Sequence, residues 1–278
     1  MEFVDIAYTA AGSDQLRQLD LYLPSDAVPA EPRPLLVFVH GGAWRSEDKR
    51  DYRNLARNLA AATRLPVAVP NFRLTPQDPS DDDHFRHPAH AEDALNALRF
   101  LTTWPGPPGV GVLYDPHCLY LIGHSCSTHM LSSIFLDSSS ISPSLTPPPH
   151  LLQAVKAIIM SEGIYDLDLL LSSFPAYHAW FIRPTFGQHD SYTAYSTTKL
   201  PLLGTHIQWL IIHSKGDTLV DILQSEAMYQ HLCSLYGDHA VTQVHRNTDH
   251  LDGEHNDILQ GLDYVDIIKD FIAKLNTN

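Results

Sequence analysis

Cysteine is scarce in this sequence. The 278 residues include only three, Cys118, Cys126 and Cys233, an odd number at spacings that match no metal-ligand motif. Asn-X-Ser/Thr sites for glycosylation are missing as well. Together these absences indicate a reducing compartment, and we expect the protein to be cytoplasmic.

Lys and Arg residues are few, and long apolar runs are missing. The 18 Lys and Arg residues face 32 Asp and Glu, which gives a formal net charge of −14 at pH 7, and they form no basic cluster. Such a surface repels polyanions, so neither nucleic acid nor an anionic membrane is an expected partner. The apolar runs are of strand length, too short for a membrane span. The first 15 residues show no basic segment followed by an apolar run, so no secretory signal is expected.

Histidine is abundant but scattered. The 17 histidines form no HExxH or paired-ligand spacing, so we expect neither a metal nor a cofactor. The acidic run at 81–84 is interpreted as solvated surface, with a lip of the site entrance as the alternative. The chain is 44% hydrophobic and long enough for one sizeable core. These properties predict a single α/β domain over residues 1–278.

Short apolar runs alternate with longer amphipathic stretches along the chain. This alternation is typical of βαβ units and predicts a mainly parallel sheet. An antiparallel pair of strands is predicted first, at 2–8 and 18–23. Further strands are predicted at 34–39, 67–69, 118–122, 155–160, 209–212 and 240–245. Helices are predicted at 50–64, 90–102, 126–136, 223–236 and 256–274.

Two segments fit neither a strand nor a helix. Residues 138–149 are rich in Ser and Pro without periodicity, which predicts a surface loop. Residues 163–201 are irregular and aromatic-rich, which favours a small lid over a site more than a part of the sheet.

The sequence around Ser125 predicts a nucleophilic serine. The motif Gly123-His124-Ser125-Cys126-Ser127 lies between a predicted buried strand and a predicted helix. Such a turn holds the serine in a strained conformation and requires small residues two positions before and after it. Gly123 meets this requirement, whereas Ser127 stands where the pattern has glycine, at some steric cost. The alternative is an ordinary strand-to-helix turn that contains a serine.

A glycine-rich motif, His40-Gly41-Gly42-Ala43-Trp44, follows the predicted strand at 34–39. Acyl transfer develops negative charge on a carbonyl oxygen, and loss of one backbone N–H that stabilises it costs about 3 kcal/mol. Glycines allow the backbone to approach the substrate closely. We assign the oxyanion hole to Gly41, Gly42 or Ala43 together with the amide of Cys126. A tight turn with a packed tryptophan is the alternative.

To act as a nucleophile, the serine needs a general base that accepts its proton and an acidic residue that orients this base. Asp217 follows the predicted strand at 209–212, and His255 precedes the last predicted helix, in the chain order Ser, Asp, His. Asp221 is the second choice for the acid because it falls in the following helix. His245 and His250 compete with His255 for the role of the base.

Trp44, Tyr165 and Trp180 are the candidate substrate-binding residues. If the lid folds over Ser125, they would line an aromatic pocket together with Phe174, Tyr177 and Phe181. Ordinary packing within the lid is the alternative for each of these side chains.

A set of short motifs runs through the chain from about residue 17 to its end. It comprises HGGAW at 40–44, NFRLTP at 71–76, HPAH at 87–90 with Glu92-Asp93, LIGHSC at 121–126, EGIYD at 162–166, FG at 186–187, GDTLV at 216–220 and HNDIL at 255–259. With these motifs the chain resembles the kynurenine formamidase (arylformamidase) branch of the hormone-sensitive-lipase-like α/β hydrolases. Trp44 favours this branch, whereas feruloyl and carboxyl esterases share most of the rest.

The resemblance implies an α/β-hydrolase fold, with a mostly parallel central sheet, helices on both faces and a small lid. It also implies hydrolysis of N-formyl-L-kynurenine to L-kynurenine and formate through a formyl-enzyme. Ser127 and the pair Ser196-Thr197, where relatives more often have Ser-Pro, depart from the family and leave a divergent acyl substrate open. A carboxylesterase for small or aryl esters is the second hypothesis, and a non-catalytic ligand-binding relative is the third. The oligomeric state stays open, a homodimer included.

Overall fold

The computed structural model describes residues 1–10, 14–25, 32–76 and 85–275. The acidic run at 81–84, expected to be solvated surface, lies outside the described residues. Within the described ranges, no helix combines the length and the apolarity needed to cross a membrane.

The core of the fold is an eight-stranded sheet. Its strands are β1 (Glu2–Ala7), β2 (Gln18–Tyr22), β3 (Pro34–Val39), β4 (Val67–Pro70), β5 (Asp115–His124), β6 (Val155–Ser161), β7 (Gln208–Ile212) and β8 (Val244–Asn247). Their order is β1-β2-β4-β3-β5-β6-β7-β8. The first two strands pair antiparallel with each other, β2 pairs antiparallel with β4, and every other pairing is parallel. The predicted mostly parallel sheet with an antiparallel pair at its start is confirmed.

Helices cover both faces of the sheet, as predicted. They are α1 (Arg53–Thr63), α2 (Ala89–Leu101), α3 (Cys126–Phe135), α4 (Pro149–Ala154), α5 (Leu167–Ser173), α6 (Arg183–Phe186), α7 (Ile222–Tyr236), α8 (Ala240–Gln243) and α9 (Leu262–Leu275). Side chains alternate between the faces of a strand, so Leu35 and Val37 of β3 pack in one apolar cluster with α2 and α3. Leu36 and Phe38 pack in the other cluster, with α1 and α9. This two-sided burial explains why β3 is apolar at every position.

The strand predicted at 240–245 is wrong in its first half. The chain forms the short helix α8 there and becomes extended only at β8. Val241 is 81% exposed, whereas Val244 is buried beside Trp209 of β7, with which it pairs. The strand therefore begins where the edge of the sheet offers hydrogen-bond partners.

Two other segments have more helical structure than the sequence patterns predict. In the segment predicted as a surface loop, Pro143–Leu145 forms a 3-10 turn, Leu145 is fully buried and α4 begins at Pro149. Residues 163–201 contain α5, a π-helical turn at His178–Ile182, α6 and two 3-10 turns.

The carboxyl ends of the parallel strands meet at one edge of the sheet. The segments that follow β3, β5, β6, β7 and β8 begin at residues 40, 125, 162, 213 and 248. In open parallel sheets this edge is where ligands bind, because the connecting loops leave a crevice there.

Candidate active site

Ser125 forms a strained turn between β5 and α3. Its φ of 56° and ψ of −122° are sparsely populated by residues other than glycine, and its amide donates to the carbonyl of Ser161 at 2.9 Å. A Cβ on Gly123 would lie 3.0 to 3.2 Å from Leu131, Thr128 and Ser127. A larger residue at position 123 would therefore crowd the start of α3, and the turn places Ser125, which is only 7% exposed, in the lining of a cavity at the end of the strand.

Ser127, the departure from the family pattern, is part of the hydrogen bonding of this turn. It is fully buried, and its hydroxyl lies 2.6 Å from the carbonyl oxygen of Val39, to which it donates, and 2.9 Å from that of His124. The hydroxyl oxygen of Ser127 also accepts a hydrogen bond from the amide of His124 at 2.8 Å. The hydroxyl thus joins the turn at Ser125 to the end of β3, which a glycine could not do.

The loop after β3 lies against Ser125. A Cβ on Gly41 would be 3.2 Å from the Cβ of Ser125, so a larger residue would push this loop away from the serine. Gly42 and Ala43 have φ values of 94° and 51° and line the same cavity as Ser125. Cys126 is the first residue of α3, so its amide has no acceptor within the helix. The residues assigned to the oxyanion hole therefore lie around Ser125.

The thiol of Cys126 has a structural contact. The amide of Trp44 donates to its sulfur at 3.3 Å. Burial raises the pKa of this thiol well above its usual value, which keeps it protonated and unreactive. The contact ties the glycine-rich loop to the start of α3.

Asp217 and His255 are hydrogen bonded to each other. His255 Nδ1 lies 2.8 Å from Asp217 Oδ2, while Asp217 Oδ1 accepts the amides of Leu219 at 2.8 Å and Val220 at 3.0 Å. Burial opposes the charge on Asp217, but the hydrogen bond from His255, the neighbouring carboxyl of Glu162 and the amide of Val220 outweigh it and hold its pKa below the ordinary value. Asp217 is therefore an anion that fixes the ring of His255, and His255 lines the cavity next to Ser125.

Close packing of two loops brings these side chains together. A Cβ on Gly216 would lie 2.1 Å from the carbonyl oxygen of Asp252, so only glycine permits this approach. Ser214 Oγ donates to the carbonyl of Gly253 at 2.6 Å, and the amide of Lys215 donates to that of Leu251 at 2.9 Å.

The competing residues lie elsewhere. Asp221 occupies the N-cap position of α7, while the hydrogen bond from His255 goes to Asp217. His245 and His250 line a different groove, beside β8 and α9.

His124 packs against His255 and contacts Asn256. Its ring lies 4.8 Å from that of His255, with Nδ1 3.2 Å from Ser161 Oγ and Nε2 3.1 Å from Asn256 Oδ1. Burial lowers the pKa of His124 to about 3, so the ring is neutral.

The cavity at Ser125 has a volume of about 140 Å³. Three aromatic side chains line it, those of Tyr177, Trp180 and Phe181 from the segment 163–201. The remaining lining is Gly42, Ala43, Ser46, Glu47, Ser125, Ile164, Leu219, Val220, His255 and Asn256. Trp180, which is 53% exposed, is the one of the three candidate substrate-binding residues that reaches the cavity.

Trp44 and Tyr165 do not line the cavity, and the expectation that they contact substrate has to be corrected. Both are fully buried. Trp44, at a φ of 60°, directs its ring into the core against Phe186 and Phe181. A Cβ on Gly163 would be 2.1 Å from the hydroxyl of Tyr165, which shows how tightly that ring is packed. Phe174 is likewise absent from the lining.

Two acidic residues of the site were missed by the sequence reasoning. Glu47 lines the cavity, and burial raises its pKa although Tyr52 donates a hydrogen bond to it. Glu162 is fully buried, with a carboxyl oxygen within 4.8 Å of one of Asp217. Its position directly after an apolar strand, at the edge where Ser125 and Asp217 also lie, was the available signal.

Solved structures share this fold. Esterase B from Lactobacillus rhamnosis superimposes with a TM-score of 0.76 at 17% identity, covering 100% of this chain and 86% of that one. A carbohydrate esterase from gut microbiota gives a TM-score of 0.74 at 16% identity, covering 100% of this chain and 97% of that one. These similarities confirm the α/β-hydrolase fold.

Curated relatives carry hydrolase names. Kynurenine formamidase of Meyerozyma guilliermondii is 27% identical over 226 residues, which are 78% of this chain and 76% of the relative. A probable isoprenylcysteine alpha-carbonyl methylesterase of Oryza sativa is 28% identical over 163 residues, which are 59% of this chain and 36% of the relative. Fold and relatives together define the protein as a hydrolase of the α/β-hydrolase class. The chain belongs to the BD-FAE family, whose profile matches residues 19–232. The expected resemblance to the kynurenine formamidase branch is confirmed.

Proposed function

We propose that the protein hydrolyses an aryl formamide, N-formyl-L-kynurenine, to L-kynurenine and formate. The observation that carries the proposal is the hydrogen bond between Asp217 and His255 at the cavity that also contains Ser125 on its strained turn. An oriented histidine that lines the same cavity as a serine on such a turn is the arrangement needed for nucleophilic acyl transfer.

In this mechanism Ser125 Oγ attacks the formyl carbon while His255 accepts its proton. The amide of Cys126 and those of Gly41, Gly42 or Ala43 stabilise the negative oxygen that forms. The C–N bond then breaks, the aniline nitrogen takes the proton from His255, and a formyl-enzyme remains. Water, deprotonated by His255, attacks this ester and releases formate, and the proton returns to Ser125.

The cavity suits such a substrate. Tyr177, Trp180 and Phe181 offer aromatic faces for an aryl ring, and the cavity of about 140 Å³ suits a small acyl group. The carboxyl of Glu47 offers an acceptor for the substrate's amino group. The kynurenine formamidases among the relatives support the same choice.

A carboxylesterase for small or aryl esters is the second candidate. The esterase structures and the methylesterase relative favour it. The same Ser125 and His255 would serve, with an alkoxide or phenoxide leaving in place of the aniline.

A kinetic comparison separates the two candidates. We expect purified protein to have the higher kcat/KM with N-formyl-L-kynurenine than with p-nitrophenyl acetate, and Ser125→Ala to lose both activities. Ser234→Ala, an exposed serine on α7, is the matched control. Hydrolysis of the ester alone would replace the formamidase with the esterase. No hydrolysis of either substrate, together with no labelling by a fluorophosphonate probe, would favour a non-catalytic ligand-binding protein.

We also propose a cytoplasmic location, because all three cysteines are free thiols. The partner required by the mechanism is the small-molecule substrate alone. The net charge of −14 makes nucleic acid or an anionic membrane an unfavourable partner.

A further inference from the structure

Glu162 directly follows β6 and is fully buried, with a φ of 50°. Its Oε1 accepts the amide of Ser214 at 2.9 Å. Glu162, His213 and Asp217 each place one nitrogen or oxygen within 4.8 Å of the others. Glu162 does not line the cavity, so any effect on the reaction must pass through a neighbouring group.

Glu162 and Asp217 each place a carboxyl oxygen within 4.8 Å of the other, and both side chains are fully buried. Two ionised carboxylates this close repel each other and can only accept hydrogen bonds, so burial of the pair favours a proton on one of them. The question is which residue holds the proton.

The other hydrogen bonds place the proton on Glu162. Asp217 accepts from two backbone amides and from His255, and these donors stabilise its charged form. Glu162 accepts from one amide, and no protein donor reaches its buried Oε2 within the described ranges. Burial, and then the contact with Asp217, raise the pKa of Glu162 to about 10, in agreement with this assignment.

We propose that Glu162 is a positioning residue: as a neutral carboxylic acid it donates a hydrogen bond to Asp217 and fixes the carboxylate that orients His255. The proposal rests on the Ser125, His255 and Asp217 mechanism given above, but not on the identity of the substrate.

The other titratable groups around Glu162 are neutral. His213 Nε2 lies 3.6 Å from Glu162 Oε2, its Nδ1 lies 2.8 Å from Ser225 Oγ, and burial lowers its pKa. Burial raises the pKa values of the tyrosine hydroxyls nearby, those of Tyr165 and Tyr264. Glu162 therefore interacts mainly with the charge of Asp217.

Two substitutions distinguish the role of Glu162 as a hydrogen-bond donor from its role in filling space. Glu162→Gln keeps an acceptor for the Ser214 amide and supplies an N–H for Asp217, whereas Glu162→Met fills similar space with neither. We expect Glu162→Met to lower kcat by about 10- to 100-fold, the size of a lost hydrogen bond to a charged group, with KM little changed. We expect Glu162→Gln to restore kcat to within about threefold of wild type.

A double-mutant cycle tests whether the effect passes through Asp217. In an Asp217→Ala background, Glu162→Met should cost no further activity, because the group that it positions is gone. Equal costs in both backgrounds would overturn the proposal, as would a fully active Glu162→Met protein. Loss of activity in EDTA would also overturn it, because a cation would then join the carboxyls.

The readouts are p-nitrophenyl acetate hydrolysis and the rate of fluorophosphonate labelling of Ser125. If the wild-type protein gives both signals but does not cleave N-formyl-L-kynurenine, the proposed substrate is refuted, and the two signals still test the role of Glu162. If Ser125→Ala keeps both signals, the serine mechanism itself fails.

A pH profile keeps the proposal testable if Glu162→Met does not fold. Ionisation of Glu162 near pH 10 would place a second negative charge beside Asp217, so wild-type kcat should fall there. Glu162→Gln cannot ionise and should keep its activity. Identical alkaline profiles for the two proteins would overturn the proposal.

Discussion

Replacing Ser127 by alanine removes a buried hydroxyl that joins the turn at Ser125 to β3. The substitution leaves the amide of His124 without its acceptor at 2.8 Å and the carbonyl of Val39 without its donor at 2.6 Å. Leaving a buried polar group unpaired costs about 1–3 kcal/mol. Because two such groups lose their partner, we expect Ser127→Ala to lower the free energy of unfolding by about 2–6 kcal/mol.

Ser127→Gly, which restores the family pattern, should cost slightly more. Glycine loses the same hydroxyl and adds about 0.5–1 kcal/mol because it is unfavourable within a helix. The residue that matches the family best is thus expected to be the less stable one in this chain.

Urea unfolding, followed by circular dichroism, measures the effect through the midpoint at a constant m value. Ser234→Ala, which changes an exposed serine of α7, is the control and should stay within about 0.5 kcal/mol. Unchanged stability in both Ser127 variants would refute the structural role of the hydroxyl.

Two further predictions concern the tryptophans and acid stability. Trp180→Ala should raise KM for an aryl substrate about tenfold and leave stability unchanged, because Trp180 lines the cavity. Trp44→Ala should lower the free energy of unfolding by about 3–5 kcal/mol, because it leaves a cavity in the core. Steady-state kinetics and urea unfolding measure both effects, and a reversed pattern would contradict the structure. Burial lowers the pKa values of four histidines to about 3 or 4, so their contribution to stability is complete above the unfolded value of 6.5 and is lost as pH falls towards 4. Each then costs about 1.4 kcal/mol at pH 5.5, which is about 5 kcal/mol for the four. The neutral Glu162 proposed above opposes this with about 2.7 kcal/mol over the same two pH units, because its raised pKa favours the folded state as pH falls. Unfolding in urea at pH 7.5 and 5.5 should therefore differ by about 3 kcal/mol, whereas a protein as stable or more stable at pH 5.5 would show that these rings titrate normally. The four are His40, His90, His124 and His129.

The sequence by itself determined the fold class and the position of the serine turn. Continuous apolar runs such as 34–39 can be buried only between two layers of helices, and this constraint is local. The turn at Ser125 is local as well, since it needs only a strand, Gly123 and a helix in succession. The sequence also placed Asp217 and His255 in loops at the carboxyl ends of strands.

Which side chains meet was decided by the tertiary structure. Asp217 and Asp221 are nearly equivalent in sequence, and the close approach of the loops at Gly216 selects the first. The positive φ of Trp44 turns its ring into the core, although its motif lies at the site.

Glu162 and Ser127 show most clearly that the sequence does not predict which side chains meet. The sequence shows Ser127 as a departure from a pattern and Glu162 as the start of a motif, but it gives neither a role. The groups that provide those roles lie on other strands: Asp217 follows β7, and Val39 ends β3. Hydrogen bonds act over about 3 Å, whereas sequence patterns report burial and local conformation. Only the assembled sheet brings these partners within that distance.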